Sequence, residues 1–118
     1  MNLNQVWLIG RIGNDLELKY TPSGLEVTSF RLAVDRPLSS ENRQAGQEKQ
    51  TDWIDVVAWR GTAKFLCERL GKGCSISVVG RIQIRSYVAQ DNSNRRVCEV
   101  VAETVNALTW PPKESAAA

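Results

Sequence analysis

Two stretches of strict alternation constrain this chain more than any other feature. In Thr51–Arg60 (TDWIDVVAWR) an extended backbone points neighbouring side chains to opposite faces, so Trp53, Asp55, Val57 and Trp59 share one side and Ile54, Val56 and Ala58 the other. The second set is a clean apolar face. The first, two indoles beside a carboxylate, makes a poor core but a workable platform for flat ligands such as nucleobases. Arg81, Gln83, Arg85 and Tyr87 repeat the pattern with a period of two, opposite Ile76, Val78, Ile82 and Ile84. The alternation predicts that the basic and aromatic residues are displayed and the aliphatic ones packed.

The rest of the chain supplies the elements around these strands. Leu3–Arg11 reads as a first strand closed by Gly13, and Glu26–Asp35 as a second after the turn Pro22-Ser23-Gly24. In the second strand Thr28, Phe30, Leu32 and Val34 face one way and Ser29, Arg31, Ala33 and Asp35 the other, which adds a basic group to the displayed side. Arg36–Gln50 is polar and without period, a long loop leading into the third strand, Thr51–Arg60. Thr62–Gly71 then places Ala63, Leu66, Cys67 and Leu70 on one helical face, and Gly71 and Gly73 end the helix. Cys74–Val88 is the fourth strand, Gln90–Asn94 a tip, and Arg95–Ala107 the fifth; Trp110, just before Pro111 and Pro112, reads as a strand-end anchor. The expected fold is all-β: a five-stranded oligonucleotide-binding barrel with one helix between strands three and four. It occupies residues 1–110, and 111–118 form a short disordered tail.

Composition narrows the chemistry. A length of 118 residues suits one domain with one core. Fifteen basic and thirteen acidic residues leave a net charge of only +2, so the placement of cations, not their number, must argue for a polyanionic partner. Cys67, Cys74 and Cys98 form no CxxC pair and stand in apolar segments, which predicts buried reduced thiols and argues against zinc. The chain has no histidine, the commonest general base and metal ligand, which disfavours enzymatic chemistry, and no cofactor is implied. No apolar run approaches the ~20 residues of a membrane helix and no signal-peptide pattern opens the chain, so a cytoplasmic protein with no membrane partner is expected.

At this point the residues resemble the bacterial single-stranded-DNA-binding proteins. The segments Asn4–Tyr20, Thr28–Val34, Gln50–Trp59, Leu70–Gly80 and Arg81–Tyr87 look like family segments in family order across nearly the whole chain. The resemblance implies that Trp53, Trp59 and Tyr87 are base-stacking aromatics and that Lys19, Lys64, Lys72 and Arg85 contact the DNA backbone. It also implies a homotetramer acting in replication, recombination and repair, with a nucleoid-associated location. Two positions depart from the family pattern. Leu38 stands where many members carry a further stacking tryptophan, and KESAAA is unlike their acidic, apolar-tipped tail, which bears on the recruitment of replication and repair proteins. A primosome-type replication protein, similar to the same family and assisting helicase loading, is the runner-up. An interaction barrel that uses the aromatic face as an interface is the rival from another class.

Each feature also has a plainer meaning. Aromatics favour strands, and either tryptophan alone would suit a core or an interface. Shared parity with Asp55, and with Arg81, Arg85 and Tyr87 on a neighbouring strand, favours display, because that mixture is costly to bury. Isolated cations such as Arg43, Lys49 and Lys113 read as solvated surface. Arg11, Arg31, Arg81 and Arg85 are better phosphate contacts because each alternates with a core-facing aliphatic, and Arg95–Arg96 fits either role. Gly71, Gly73 and Gly80 lack the GKS/T step of a phosphate loop and read as cap and bulge glycines. Asp52 and Asp55 read as partners of nearby arginines rather than as metal ligands.

Overall fold

A computed structural model of the chain describes residues 1–37 and 50–109. The long loop with Leu38, Arg43 and Lys49, the anchor Trp110 and the tail all lie outside the described residues. The elements run β1 (Val6–Ile12), β2 (Lys19–Tyr20), β3 (Glu26–Asp35), β4 (Thr51–Trp59), α1 (Arg60–Arg69), β5 (Ser75–Val88) and β6 (Asn94–Ala107). The two-residue β2 was not foreseen. Counted with it, the helix lies between β4 and β5 rather than between strands three and four.

The sheet closes on itself. Its order is β1-β5-β6-β4-β3-β2, and β1 pairs a second time with β3. One run of β1 lies antiparallel to β5 from Val6↔Gly80 to Arg11↔Ser75, while its end turns to β3 at Arg11↔Ala33 and Ile12↔Leu32. Serving two partners demands a close approach at Gly10, where a Cβ would come within 2.5 Å of the Ala33 carbonyl oxygen. Opposite Val79 and Gly80 the partners on β6 are Thr104 and Ala102, so Glu103 is the extra residue of a bulge that bends β6 at the corresponding corner. Among the described residues only β4 and β6 are parallel, over Val56↔Val100 to Ala58↔Ala102.

Alternation decides what fills the barrel. Phe30, Leu32, Val56, Ala58, Ile76 and Val78 are buried, as their parity predicts. Buried Thr28 is satisfied by donating its hydroxyl to the Glu17 carbonyl at 2.9 Å. The helix closes one end, with Ala63, Leu66 and Leu70 in the core cluster. It starts two residues earlier than predicted because β4 runs straight into it: Trp59 is the extended N-cap without a side-chain cap, and Arg60 makes the turn at a φ of 55°.

The far half of β5 departs from expectation. Ile76 is 0% exposed, but Ile82 is 42% exposed and Ile84 more so, although all share one parity. Beyond Gly80 no β1 residue lies alongside β5, and below Val100 β4 no longer pairs with β6. Arg81–Val88 and Asn94–Glu99 therefore form a two-stranded hairpin whose apolar side has no facing layer among the described residues. The same geometry corrects the cysteines: Cys74 is buried and Cys67 half-buried, but Cys98, opposite Ile84 on the hairpin, is exposed. Asn4 fastens the hairpin's base, donating to the Ile82 carbonyl at 2.7 Å and accepting from the Ile82 amide at 2.9 Å.

Candidate nucleic-acid interface

The outer faces of β3, β4, β6 and β5 carry the residues that alternation displays. On β4, Trp53 is 57% and Trp59 38% exposed, whereas Val56 and Ala58 behind them are buried. Antiparallel register sets Trp53 opposite Ala33, Asp55 opposite Arg31, and Trp59 opposite Val27. On the hairpin Gln83 faces Glu99, Arg85 faces Val97 and Tyr87 faces Arg95. Arg31 Nε lies 3.5 Å from Asp55 Oδ1. Arg85 Nε donates to Glu99 Oε1 at 2.8 Å, and Gln83 Nε2 donates to the same oxygen at 3.3 Å.

Between these strands opens a cavity of about 670 Å³, lined among others by Arg31, Trp53, Asp55, Arg85 and Glu99. The indole of Trp53 lies against Gly13: a Cβ there would fall 2.5 Å from ring atom Cζ3. The segment carrying Gly13 is tied to β3 on both sides of this contact. The Gly13 amide donates to the Arg31 carbonyl at 2.8 Å, and Asn14 Oδ1 accepts from the Arg31 amide at 2.7 Å. A second hollow of about 260 Å³ shares Asn14 and Ser29 with the first and reaches Lys19.

The sequence-predicted residues thus separate into groups. Trp53, Arg31 and Arg85 meet in the large cavity, and Lys19 lines the adjoining hollow. Trp59, Arg81 and Tyr87 share the outer parity but line neither. Arg11 sits on β1 with its guanidinium 3.8 Å from Asp35. Lys64 is on the exposed side of α1 and Lys72 in the turn before β5, both away from the cavity lining. Sequence reasoning missed Asn14 and Glu99. Neither carried a periodic signal: Glu99 shares parity with the valines Val97 and Val101, and both Val100 and Val101 are buried, while Asn14 stands in irregular chain.

Arg36 and Gln50 flank the undescribed loop and are clamped together. The Arg36 guanidinium donates to both carboxylate oxygens of Asp52 at 2.8–3.1 Å and to Gln50 Oε1 at 2.9 Å, while its amide donates to the Gln50 carbonyl at 2.8 Å. Asp52 and Asp55 each have their own arginine, which matches the role expected of them. Hydrogen bonds from Arg36 hold the Asp52 carboxyl below the ordinary carboxylate range and raise the guanidinium further. A lowered carboxyl pKa means that the pair is intact above the unfolded value of about 3.9 and is lost as pH falls through the lower folded one. Carbon-detected NMR titration of Asp52 should therefore give a midpoint below about 3.9 that returns upward in Arg36→Gln. An unshifted midpoint would mean that the clamp does not persist in solution.

Residues 3–108 match the Single-strand binding protein family. Over 114 residues the chain is 45% identical to the single-stranded DNA-binding protein of Clostridium tetani, covering 96% of this chain and 75% of that relative. The protein of the same name in Streptococcus pneumoniae is 45% identical over 90% of this chain and 65% of its own length. That of Halalkalibacterium halodurans is 47% identical over 90% and 61%. A closed barrel with displayed tryptophans and a match spanning all the described strands agree with one another. The chain belongs to the single-strand binding protein family.

Proposed function

We propose that this chain binds single-stranded DNA without requiring a particular sequence, holding unpaired bases against Trp53, Trp59 and Tyr87 and phosphates with cations of the same face. The observation that carries this reading is Trp53 itself, a large aromatic more than half exposed on β4 that lines the cavity together with Arg31 and Arg85. Stacking tolerates every base because every base has a π-face. Arg81 and Arg85 on the hairpin, Arg31 on β3 and Lys19 beside the smaller hollow support a backbone path across the face, and Arg11 on β1, Lys64 on α1 and Lys72 in the turn before β5 are offered as further phosphate contacts away from the cavity. Such a protein covers exposed template in replication, recombination and repair, acts without catalysis and works beside the nucleoid in the cytoplasm. Among the described residues no helix is long and apolar enough to cross a membrane.

Self-association as a homotetramer belongs to the same proposal. Trp7 and Ile9 are exposed on β1, with Val79 opposite Trp7 on β5, and Ile82 and Ile84 are exposed on the hairpin's apolar side. Large apolar side chains gathered on two surfaces are suited to burial between copies. Titration with oligo-dT, followed by tryptophan fluorescence at several salt concentrations, tests the DNA reading. Quenching, an affinity that falls linearly in log–log form with salt, and weak binding of duplex are expected. Equal affinity for duplex and single strand would sink it.

A further inference from the structure

The hairpin of β5 and β6 carries Arg81, Gln83, Arg85 and Tyr87 on its outer side, yet few bonds fix its direction. Beyond Gly80 β5 has no β1 partner and below Val100 β6 has no β4 partner, so among the described residues the rest of the hairpin is a two-stranded ribbon. Such ribbons are weak alone and twist easily. From Ile82 to Val88 the ribbon rises roughly 20 Å, so a tilt of about 10° at its base carries the tip by about 3 Å, enough to break a hydrogen-bonded phosphate contact.

We propose that Asn4 aims this hairpin at the DNA: its side-chain amide stands in for the next residue pair of the β1–β5 ladder and fixes β5 at the point where the free ribbon begins. Continued by two residues from Val6↔Gly80, the antiparallel register sets Asn4 opposite Ile82. The backbone at Asn4 lies outside β1, which starts at Val6, but a carboxamide offers the donor and acceptor of a peptide group. It makes both bonds of the absent pair. Nδ2 donates to the Ile82 carbonyl at 2.7 Å, and Oδ1 accepts from the Ile82 amide at 2.9 Å. Ile82 stands between Arg81 and Gln83, so fixing both of its backbone groups sets the direction of the outward side chains on either side of it. Asn4 itself need not touch the strand; it is a positioning residue. Both bonds are exposed, so the barrel loses little without them, whereas the hairpin loses its tie on that edge. The inference rests on the DNA-binding reading above and adds to it the device that orients Arg81 and Arg85.

The test compares the full chain with its Asn4→Ala variant in binding oligo-dT over a range of salt. One phosphate contact fewer lowers the log–log salt slope for a single strand by about 0.7, which makes binding about fivefold weaker at ~0.1 M salt and nearly equal at ~1 M. That result is expected, with Tm and sedimentation almost unchanged. In a chain that already carries Arg81→Ala and Arg85→Ala, Asn4→Ala should weaken binding by less than about twofold, because the cations it aims are gone. Unchanged affinity and slope, or a loss of the same size at every salt concentration, would overturn the inference. So would a full loss in the chain without Arg81 and Arg85, a large drop in Tm or a shift to smaller species, since Asn4 would then serve the fold or the assembly. Failure of the unaltered chain to bind any single strand would instead remove the DNA reading, and the inference with it.

Discussion

Replacing Trp53 by alanine is expected to weaken binding of single-stranded DNA by about 1–3 kcal/mol, an increase in Kd of roughly 5- to 150-fold, with almost no change in Tm. More than half of the indole is exposed, so the substitution leaves little cavity behind and the fold loses little packing. What it removes is a stacking surface fixed by its neighbours: β4 sets the side, Ala33 stands opposite, and Gly13 leaves the space in which the ring lies. Trp53→Phe should recover part of the affinity, since a smaller ring stacks over less area. A variant that unfolds would place the ring among the packing residues and remove it from the binding face.

Ile76→Ala and Ile82→Ala should differ sharply although the two residues sit on one strand with the same parity. Ile76 is enclosed by the barrel, and its truncation should cost about 2–5 kcal/mol through the cavity left behind, lowering Tm by on the order of 10 °C. Ile82 stands on the hairpin past the last β1 partner of β5, so its truncation should cost the isolated fold less than about 1 kcal/mol. Its effect should appear in assembly, as a shift towards smaller species in sedimentation. Equal losses of stability would mean that a layer covers the hairpin's apolar side within a single chain.

This pair of isoleucines also shows where sequence reading stops. Alternation reports which side of a strand is apolar, and it placed Phe30, Leu32, Val56, Ala58, Ile76 and Val78 inside correctly. It cannot report whether anything faces that side. For Ile82 the answer depends on where β1 begins, a non-local fact set by the Val6↔Gly80 register. Cys98 was misplaced for the same reason. The two-residue β2 has no length over which a period can show, and α1 begins at a non-glycine residue with positive φ that no capping signal announces. On the candidate face, parity was enough to show that Trp53 and Trp59 are displayed. The pairing of Arg31 and Arg85 with Asp55 and Glu99 needed the cross-strand register, and with it the cavity's charge changes from basic to balanced.

The route by which the sheet closes bears on how quickly this chain can reach its native state. The hairpin of β5 and β6 joins neighbours across a short tip, where the Ala89 amide meets the Ser93 carbonyl at 2.9 Å, and it needs little search. The parallel seam of β4 with β6 is different: three residue pairs, from strands separated by the helix and the whole of β5, hold that side of the wall together. Closing such a seam orders a long intervening segment before any of its contacts contribute, so the entropy of that search weighs on the folding rate more than on the final stability. The barrel wall is therefore a kinetic bottleneck as well as a scaffold.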